Sequence, residues 1–145
     1  MKTLFIVHCS ATPAGKDYSA EDIRKWHVQE NGWQDIGYNY VIRRDGTLEL
    51  GRDLNADLHD VMRETGAHTK GYNKTGIGVC LIGGVDKYLR PVANYTAQQY
   101  TTLLSLGLYV QAFYPDIEFL GHNDLSPKSC PCFDVRSFFA HIQHY

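Results

Sequence analysis

Residues 121–134 read GHNDLSPKSCPCFD, a loop-like stretch in which seven residues separate His122 from Cys130 and Lys128 stands two positions before the cysteine. Neutral imidazole and thiolate are preferred ligands of zinc, and a neighbouring lysine favours the thiolate form of cysteine. Two ligands do not complete a zinc site. The hypothesis therefore requires a third ligand from elsewhere in the chain, and an open fourth position if the metal is catalytic.

The third ligand is expected at the end of the first strand. Residues 2–7, KTLFIV, form an apolar and partly β-branched run that is typical of a buried central strand, and His8 follows it directly. A short strand predicted over 117–120 ends just before His122. If these two strands are neighbours, His8, His122 and Cys130 converge as a ligand set with a position free for water.

Simpler interpretations remain open at this point. Each histidine could be a polar residue satisfied at a strand end, and Lys128 could be a solvated loop charge. Cys132 is the nearby candidate for a fourth ligand, which would make a closed structural site instead of a catalytic one. The Cys130-Pro131-Cys132 sequence lacks the CxxC spacing of redox motifs.

Length and composition predict one domain over residues 1–145, with an apolar fraction of 43% and a net charge of −2. No basic block is present, so bulk electrostatics give no indication of nucleic acid binding. The N-terminal apolar run lacks a small-residue cleavage site and is too short to cross a bilayer. We therefore expect synthesis in the cytoplasm without a signal peptide, no membrane association, and cysteines that are thiols or ligands.

The first half of the chain shows one helix and one hairpin. Ser19 is the predicted N-cap of a helix with Ile23, Trp26 and His27 on one face, and Asn31-Gly32 ends it. Residues 36–43 and 47–50 are predicted strands joined by the turn 44–46, and alternation places Tyr38, Tyr40 and Ile42 on one face.

The second half begins with a polar connection over 51–75, of the kind that tends to carry function inside a compact domain. A buried strand is predicted over 77–82, and a helix over 96–113 with a packing face of Tyr100, Leu103, Leu104, Gly107 and Leu108. A last helix begins near Asp134. The order β-α-β-β-β-α-β-α predicts a single α/β (α+β) domain with a mixed central sheet flanked by helices.

The sequence resembles the zinc-dependent N-acetylmuramoyl-L-alanine amidases of type 2, which are related to peptidoglycan-recognition proteins, and within them the T7-type phage lysozymes. The resemblance covers almost the whole chain. Its motifs are FIVHCSAT (5–12), IRKWH (23–27), GW (32–33), DIGY (35–38), IRRDGT (42–47), GRD (51–53), HTKGYN (68–73), GIGVCLIGG (76–84) and PKSCP (127–131).

The resemblance implies roles for individual residues. The zinc ligands of the family fall on His8, His122 and Cys130, which is the set that the strand-end argument also proposes. The catalytic residues fall on Tyr38 and Lys128, and the substrate-binding residues on His68 and Asn73. Two positions depart from the family pattern: Asn39 replaces a histidine that is frequent in relatives, and Cys132 stands where glycine or serine is usual.

The implied activity is hydrolysis of the amide between N-acetylmuramic acid and L-alanine in peptidoglycan, with one Zn²⁺ per chain. The expected partner is peptidoglycan or a muropeptide, and the protein is expected to be a monomer. It would act on the cell wall after release, as phage endolysins do, although a cytosolic role in recycling wall fragments is an alternative. A second alternative is a recognition module that binds peptidoglycan without cutting it; relatives of that kind typically lack the cysteine ligand.

Overall fold

The architecture is a mixed β-sheet with helices on both faces, seen in a computed structural model that describes residues 1–54 and 58–143, with 58–60 described for the backbone only. The strands are β1 (Leu4–Cys9), β2 (Thr12–Pro13), β3 (Tyr40–Ile42), β4 (Leu48–Leu50), β5 (Gly76–Leu81), β6 (Gly84–Val85) and β7 (Glu118–Gly121). The main sheet has the order β4-β3-β5-β1-β7, and β2 pairs with β6 in a small second sheet. All pairings are parallel except that of β3 with β4.

The helices begin where the sequence predicts them. Helix α1 (Ala20–Lys25) starts at a capping box between Ser19 and Asp22 and continues as a π-helical turn over Trp26–Glu30. Helix α2 (Ala97–Phe113) starts at a capping box of Thr96 with Gln99, and α3 (Val135–Phe138) follows Asp134 as N-cap. In a capping box the two side chains satisfy backbone N–H groups that the first helical turn leaves free. Two 3₁₀ segments, Leu58–Arg63 and His122–Asp124, lie in the connections.

The main sheet separates two hydrophobic clusters. Phe5 and Val7 of β1 point to a large core shared with α2 and α3, where Phe119 and Phe139 stack with ring centroids 4.2 Å apart. The opposite face carries a smaller cluster beneath α1, built around Ile23, with Cys80 from β5. Because side chains alternate along a strand, His8 lies on the face opposite Val7. The site described below therefore opens on the side of α1.

Two predicted packing faces are partly wrong. Tyr40 and Ile42 lie in the large core, but Tyr38 packs against the smaller cluster on the other face. The reason is that the strand covers only Tyr40–Ile42, so strict alternation does not extend back to Tyr38. In α2 the buried residues are Gln99, Leu103, Leu106, Gly107 and Val110, whereas the predicted Leu104 and Leu108 are exposed. The helix is rotated because Gln99 turns inward and donates to the carbonyls of Ile42 and Ile82, at 3.2 and 2.9 Å.

The predicted order of elements and the fold class are confirmed, with β2 and β6 as short additions. The connection over 51–75 contains the predicted irregular structure and one 3₁₀ segment in its described part. Among the residues that the structure describes, no helix has the length and apolar character needed to cross a membrane.

Candidate active site

Two adjacent parallel strands bring the two predicted histidine ligands together. In the register of β1 with β7, Val7 lies opposite Gly121, so the next residue of each chain segment is a histidine. The rings of His8 and His122 have centroids 4.5 Å apart. His8 is the inward end of this pair, with 2% of its surface exposed, while His122 is half-buried in the 3₁₀ segment that follows β7.

The loop that carries Cys130 is tied to both strands. The backbone N–H of Cys9 donates to Sγ of Cys130 at 3.0 Å, which fixes the thiol beside the end of β1. The hydroxyl of Tyr95 donates to the carbonyl of Pro131 at 2.8 Å, and the amide of Asn123 donates to the carbonyl of Phe133 at 3.3 Å. These bonds hold Cys130 against the two histidines.

The donor atoms of His8, His122 and Cys130 all lie within 4.8 Å of one another. Burial, followed by the nearby histidines and Lys128, holds the pKa of His8 well below its usual range. Burial and Lys128 also lower the pKa of His122. Both imidazoles are therefore neutral near pH 7 and have a lone pair for a metal. Two imidazoles with one thiolate are a donor set that suits zinc, so these residues fit the ion.

Cys132 does not join this group. Its thiol is directed at the carbonyl oxygen of Gly84, with a separation of 3.4 Å, and its backbone has φ = 75°. Within the described part of the chain, the candidate metal group comprises three side chains and does not include Cys132. A three-ligand set leaves a position open, as in catalytic zinc sites, whereas structural sites use four protein ligands.

The three donors lie at one cavity of about 250 Å³. Its walls bring together aromatic, histidine and lysine side chains from five segments of the chain. The lining residues are His8, Cys9, Ala11, His27, Trp33, Tyr38, Ala67, His68, His122, Lys128 and Cys130. A larger cavity of about 440 Å³ lies between β4 and α2, but none of its lining residues is a metal-ligating type, so the smaller cavity is the one suited to chemistry.

Tyr38 stands directly beside His8, one of the candidate metal ligands. Its ring centroid is 5.3 Å from that of His8, and Arg52 N–H donates to the Tyr38 carbonyl at 2.8 Å, which fixes the backbone at this point. Burial is the main cause that raises the pKa of Tyr38 well above its usual range, and nearby cysteines add to it. The hydroxyl therefore keeps its proton at neutral pH and can donate a hydrogen bond.

Lys128 lies at the exposed rim of the same cavity. Its backbone N–H donates to the hydroxyl of Ser126 at 3.3 Å, which shapes the turn before Cys130. The ammonium group is close enough to lower the pKa of both His8 and His122. It is thus a positive charge next to the ligand set, as the sequence predicts for a catalytic lysine.

The two predicted substrate-binding residues lie in different settings. His68 lines the cavity, with its ring centroid 5.1 Å from that of His8. Asn73 is not among the lining residues; its side-chain oxygen accepts from the backbone N–H groups of His68 and Thr69, both at 2.8 Å. In this structure Asn73 shapes the turn that presents His68.

Asn39, the departure next to Tyr38, faces away from the cavity. It is fully buried, donates to the carbonyls of Val61 and Glu64 at 2.8 and 3.0 Å, and accepts from the N–H of Gly78 at 2.8 Å. Asn39 therefore joins the sheet to the 3₁₀ segment over Leu58–Arg63. It does not alter contacts beside the metal ligands.

His27 and Trp33 are cavity residues that the sequence analysis did not place at the site. Helical periodicity assigned His27 to a packing face, but the chain widens into a π-helical turn at Trp26–Glu30, which changes the direction of the side chain. Nδ1 of His27 accepts from the N–H of Gly37 at 2.9 Å, and its ring lies 4.7 Å from that of Trp33. The sequence pointed to both residues only through the family motifs, since His27 lies in IRKWH (23–27) and Trp33 in GW (32–33).

The sequence profile described as N-acetylmuramoyl-L-alanine amidase matches residues 2–133. The chain belongs to this amidase family. The endolysin of Enterobacteria phage K11 is 46% identical over 132 residues, which cover 91% of this chain and 82% of that protein. The endolysin of Escherichia phage T7 is 42% identical over 133 residues, which cover 92% and 82% respectively.

Solved structures agree with this assignment. The amidase LysC from Clostridium intestinale superimposes with a TM-score of 0.75 at 26% identity, covering 97% of this chain and 84% of that one. The resemblance predicted from the motifs is thus confirmed. The protein is an N-acetylmuramoyl-L-alanine amidase, an enzyme that acts on peptidoglycan.

Proposed function

We propose that this amidase cuts the amide between the lactyl group of N-acetylmuramic acid and L-alanine with the help of one zinc ion held by His8, His122 and Cys130. The observation that carries the proposal is the convergence of three zinc-type donor atoms within 4.8 Å at a cleft. Zinc in a site with three protein ligands makes water a nucleophile at neutral pH and polarises a carbonyl oxygen.

Tyr38 is proposed as a hydrogen-bond donor to the reacting oxygens. Its ring lies next to His8, and the side chain lines the cleft. Because its pKa is raised, the phenol remains protonated through the pH range in which the histidines are neutral. A fixed, partly buried donor of this kind stabilises developing negative charge better than water does.

Lys128 is proposed as the cation that stabilises the tetrahedral oxyanion formed when the amide carbonyl is attacked. It lies at the exposed rim of the cleft, and its positive charge lowers the pKa of both His8 and His122. The leaving amine of L-alanine needs a proton, and Tyr38 and Lys128 are both donors placed at the cleft.

His68 is proposed to contact the substrate as part of the cleft wall, with Asn73 holding the turn on which His68 sits. The described residues that line the cleft belong to one chain, and we propose that the protein acts as a monomer. The endolysin relatives support a lytic setting in which the protein reaches the cell wall after release. We propose this role ahead of a cytosolic role in recycling wall fragments.

The test is digestion of purified peptidoglycan by the zinc-loaded protein, with and without a chelator. New L-alanine amino termini and new reducing sugar ends are scored separately. Amino termini that appear only without chelator, with no reducing ends, are expected. Absence of cleavage of both wall and small muropeptides by folded, zinc-loaded protein would contradict the proposal and favour a binding module.

Circular dichroism of the chelated protein separates a catalytic zinc from a structural one. The sheet and its two hydrophobic clusters do not include the metal ligands Cys130 and His122, so the chelated protein is expected to stay folded. A protein with a closed structural site would lose its fold together with the metal.

Lysis of Gram-negative cells with permeabilised outer membranes, compared with cleavage of soluble muropeptides, tests the lytic role against recycling.

A further inference from the structure

The two ring nitrogens of His8 have different surroundings. Nε2 lies 3.1 Å from the hydroxyl oxygen of Thr69 and 3.2 Å from Nδ1 of His68. Because Nε2 is within hydrogen-bond distance of both neighbours, Nδ1 is the nitrogen that remains for the metal. A ligand histidine that uses one nitrogen for zinc carries a proton on the other, and a partner for that proton fixes the tautomer and the ring plane.

The Thr69 hydroxyl can accept a hydrogen bond from that N–H and can at the same time donate one to a further acceptor. In the tautomer that leaves Nδ1 of His8 for the metal, Nε2–H of His8 donates to the Thr69 hydroxyl, 3.1 Å away, and that hydroxyl can donate to Nδ1 of His68, 2.9 Å away. Thr69 is 4% exposed, so water does not compete for these bonds. Most ligand histidines use a carboxylate, carbonyl or water for this purpose.

The surrounding chain fixes both members of this pair. The side-chain oxygen of Asn73 binds both backbone N–H groups, and the carbonyl of Thr69 accepts from the N–H of Tyr72 at 2.9 Å. The ring of His68 lies against glycines of β5 and the preceding loop. A Cβ at Gly78 would meet the ring at 2.5 Å, one at Gly66 at 2.6 Å and one at Gly76 at 3.3 Å.

We propose that Thr69 and His68 form a positioning pair that sets the tautomer and orientation of His8 and thereby its affinity for zinc. The inference rests on the proposed zinc site. It assigns His68 a second task besides lining the cleft, and it gives Thr69, to which the resemblance assigned no role, a part in metal binding through His8. Thr69 touches neither the substrate cleft nor the metal and acts through His8 alone.

The experiment measures zinc dissociation constants by competition with a chromophoric chelator for wild type, Thr69→Val and Thr69→Ser. Valine keeps the shape of threonine but cannot accept or donate, so we expect the dissociation constant to rise about 10–100-fold. Serine keeps the hydroxyl and should bind zinc nearly as wild type does. Thr101→Val is the control, because Thr101 is exposed and its hydroxyl bonds only to its own helix, at the carbonyl of Ala97.

Two further measurements separate positioning from other roles. Excess zinc should restore the turnover of Thr69→Val, because the loss is one of metal occupancy; a defect that persists at saturating zinc would overturn the inference. Imidazole nitrogen NMR of the zinc-loaded wild type should show the His8 proton on Nε2, and a proton on Nδ1 would also overturn it.

The outcomes distinguish this inference from the proposed function. If wild type binds zinc and Thr69→Val binds it equally tightly, the positioning pair is refuted while the zinc amidase proposal stands. If wild type itself binds no zinc, both fail. Thermal unfolding of each chelated variant shows whether Thr69→Val is folded. If it is not, the nitrogen NMR measurement on the wild type still tests which ring nitrogen of His8 carries the proton.

Discussion

The rings of His8 and His122 lie 4.5 Å apart although they come from opposite ends of the chain. The cause is the parallel pairing of β1 with β7, in which Val7 faces Gly121 one residue before each histidine. Side chains placed at strand ends are held by the sheet hydrogen bonds, while their free side faces the cleft. Changes at the ligands should therefore affect metal binding and activity together, whereas changes at the cleft residues Tyr38 and Lys128 should affect activity and leave metal binding unchanged.

Replacement of a ligand should abolish metal binding and activity together. We expect His122→Ala and Cys130→Ser to bind no zinc at micromolar concentrations and to show no chelator-sensitive cleavage, because two remaining ligands do not hold the ion. Metal analysis after gel filtration measures the first effect, and release of L-alanine amino termini the second. His141→Ala, at an exposed histidine, is the matched control. Zinc at wild-type stoichiometry in Cys130→Ser would show that the cysteine is not a ligand.

Lys128→Ala should leave zinc bound but slow the reaction. Loss of one group that stabilises an oxyanion costs about 10²–10³-fold in kcat, and the rim position of Lys128 predicts a loss in this range. The exposed Lys70 in the neighbouring loop provides the control variant Lys70→Ala. Steady-state cleavage of a soluble muropeptide gives kcat and KM separately. A change confined to KM would assign Lys128 to substrate binding.

Tyr38→Phe removes one hydroxyl and leaves the ring contact with His8. We expect kcat to fall by at least about 10²-fold, the lower end of the range for a proton donor or acceptor in the transition state. Zinc affinity should be unchanged. Tyr88→Phe, at a side chain that is 65% exposed, tests for nonspecific effects. Nearly full turnover of Tyr38→Phe would refute the catalytic role.

The metal-free protein should lose stability as the pH falls below 6.5. Burial is the first cause that lowers the pKa of His68 to about 3, and the pKa of His8 also lies well below its usual range. Between these folded values and the unfolded value of 6.5, the unfolded chain binds protons that the folded chain does not. Each histidine then removes up to about 1.4 kcal/mol of unfolding free energy per pH unit.

Urea unfolding of chelated protein at several pH values between 7 and 4.5 measures this slope. Asp22, Asp35, Asp86 and Asp134 have lowered pKa values in the folded protein, so they also cost stability in acid, but that loss sets in mainly as the pH falls to their ordinary value of 3.8, below this interval. His68→Gln should show a shallower slope than wild type. An unfolding free energy that stays constant from pH 7 to 4.5 would contradict the prediction.

Gly78→Ala should destabilise the protein through His68. A Cβ at Gly78 would meet the His68 ring at 2.5 Å, so the ring must move, at a cost of about 1–3 kcal/mol for overpacking. In Gly78→Ala/His68→Ala the clash is absent, so the two effects should not add. A double-mutant cycle of unfolding free energies tests this. Additive effects would show that the alanine is accommodated without displacing the ring.

The convergence of His8, His122 and Cys130 could be predicted from the sequence because its signals are local. An apolar β-branched run that stops at His8, a second strand that stops before His122, and a Lys-x-Cys loop each carry their chemistry in a few neighbouring residues. The N-cap Ser19 and the start of the second helix at residue 96 were likewise predicted, since a helix start depends on a few neighbouring residues. Family motifs along the chain added Tyr38 and Lys128.

Tertiary structure alone decided which surfaces and rings meet. The inward turn of Gln99 rotates α2 away from the face that periodicity indicated, and the short β3 places Tyr38 on the side of the cleft. The contact of Thr69 with His8 depends on a turn held by Asn73 and on glycines in a different strand. Local propensity determined where strands, caps and ligands occur, whereas contacts between residues distant in the chain depend on packing, which no local pattern encodes.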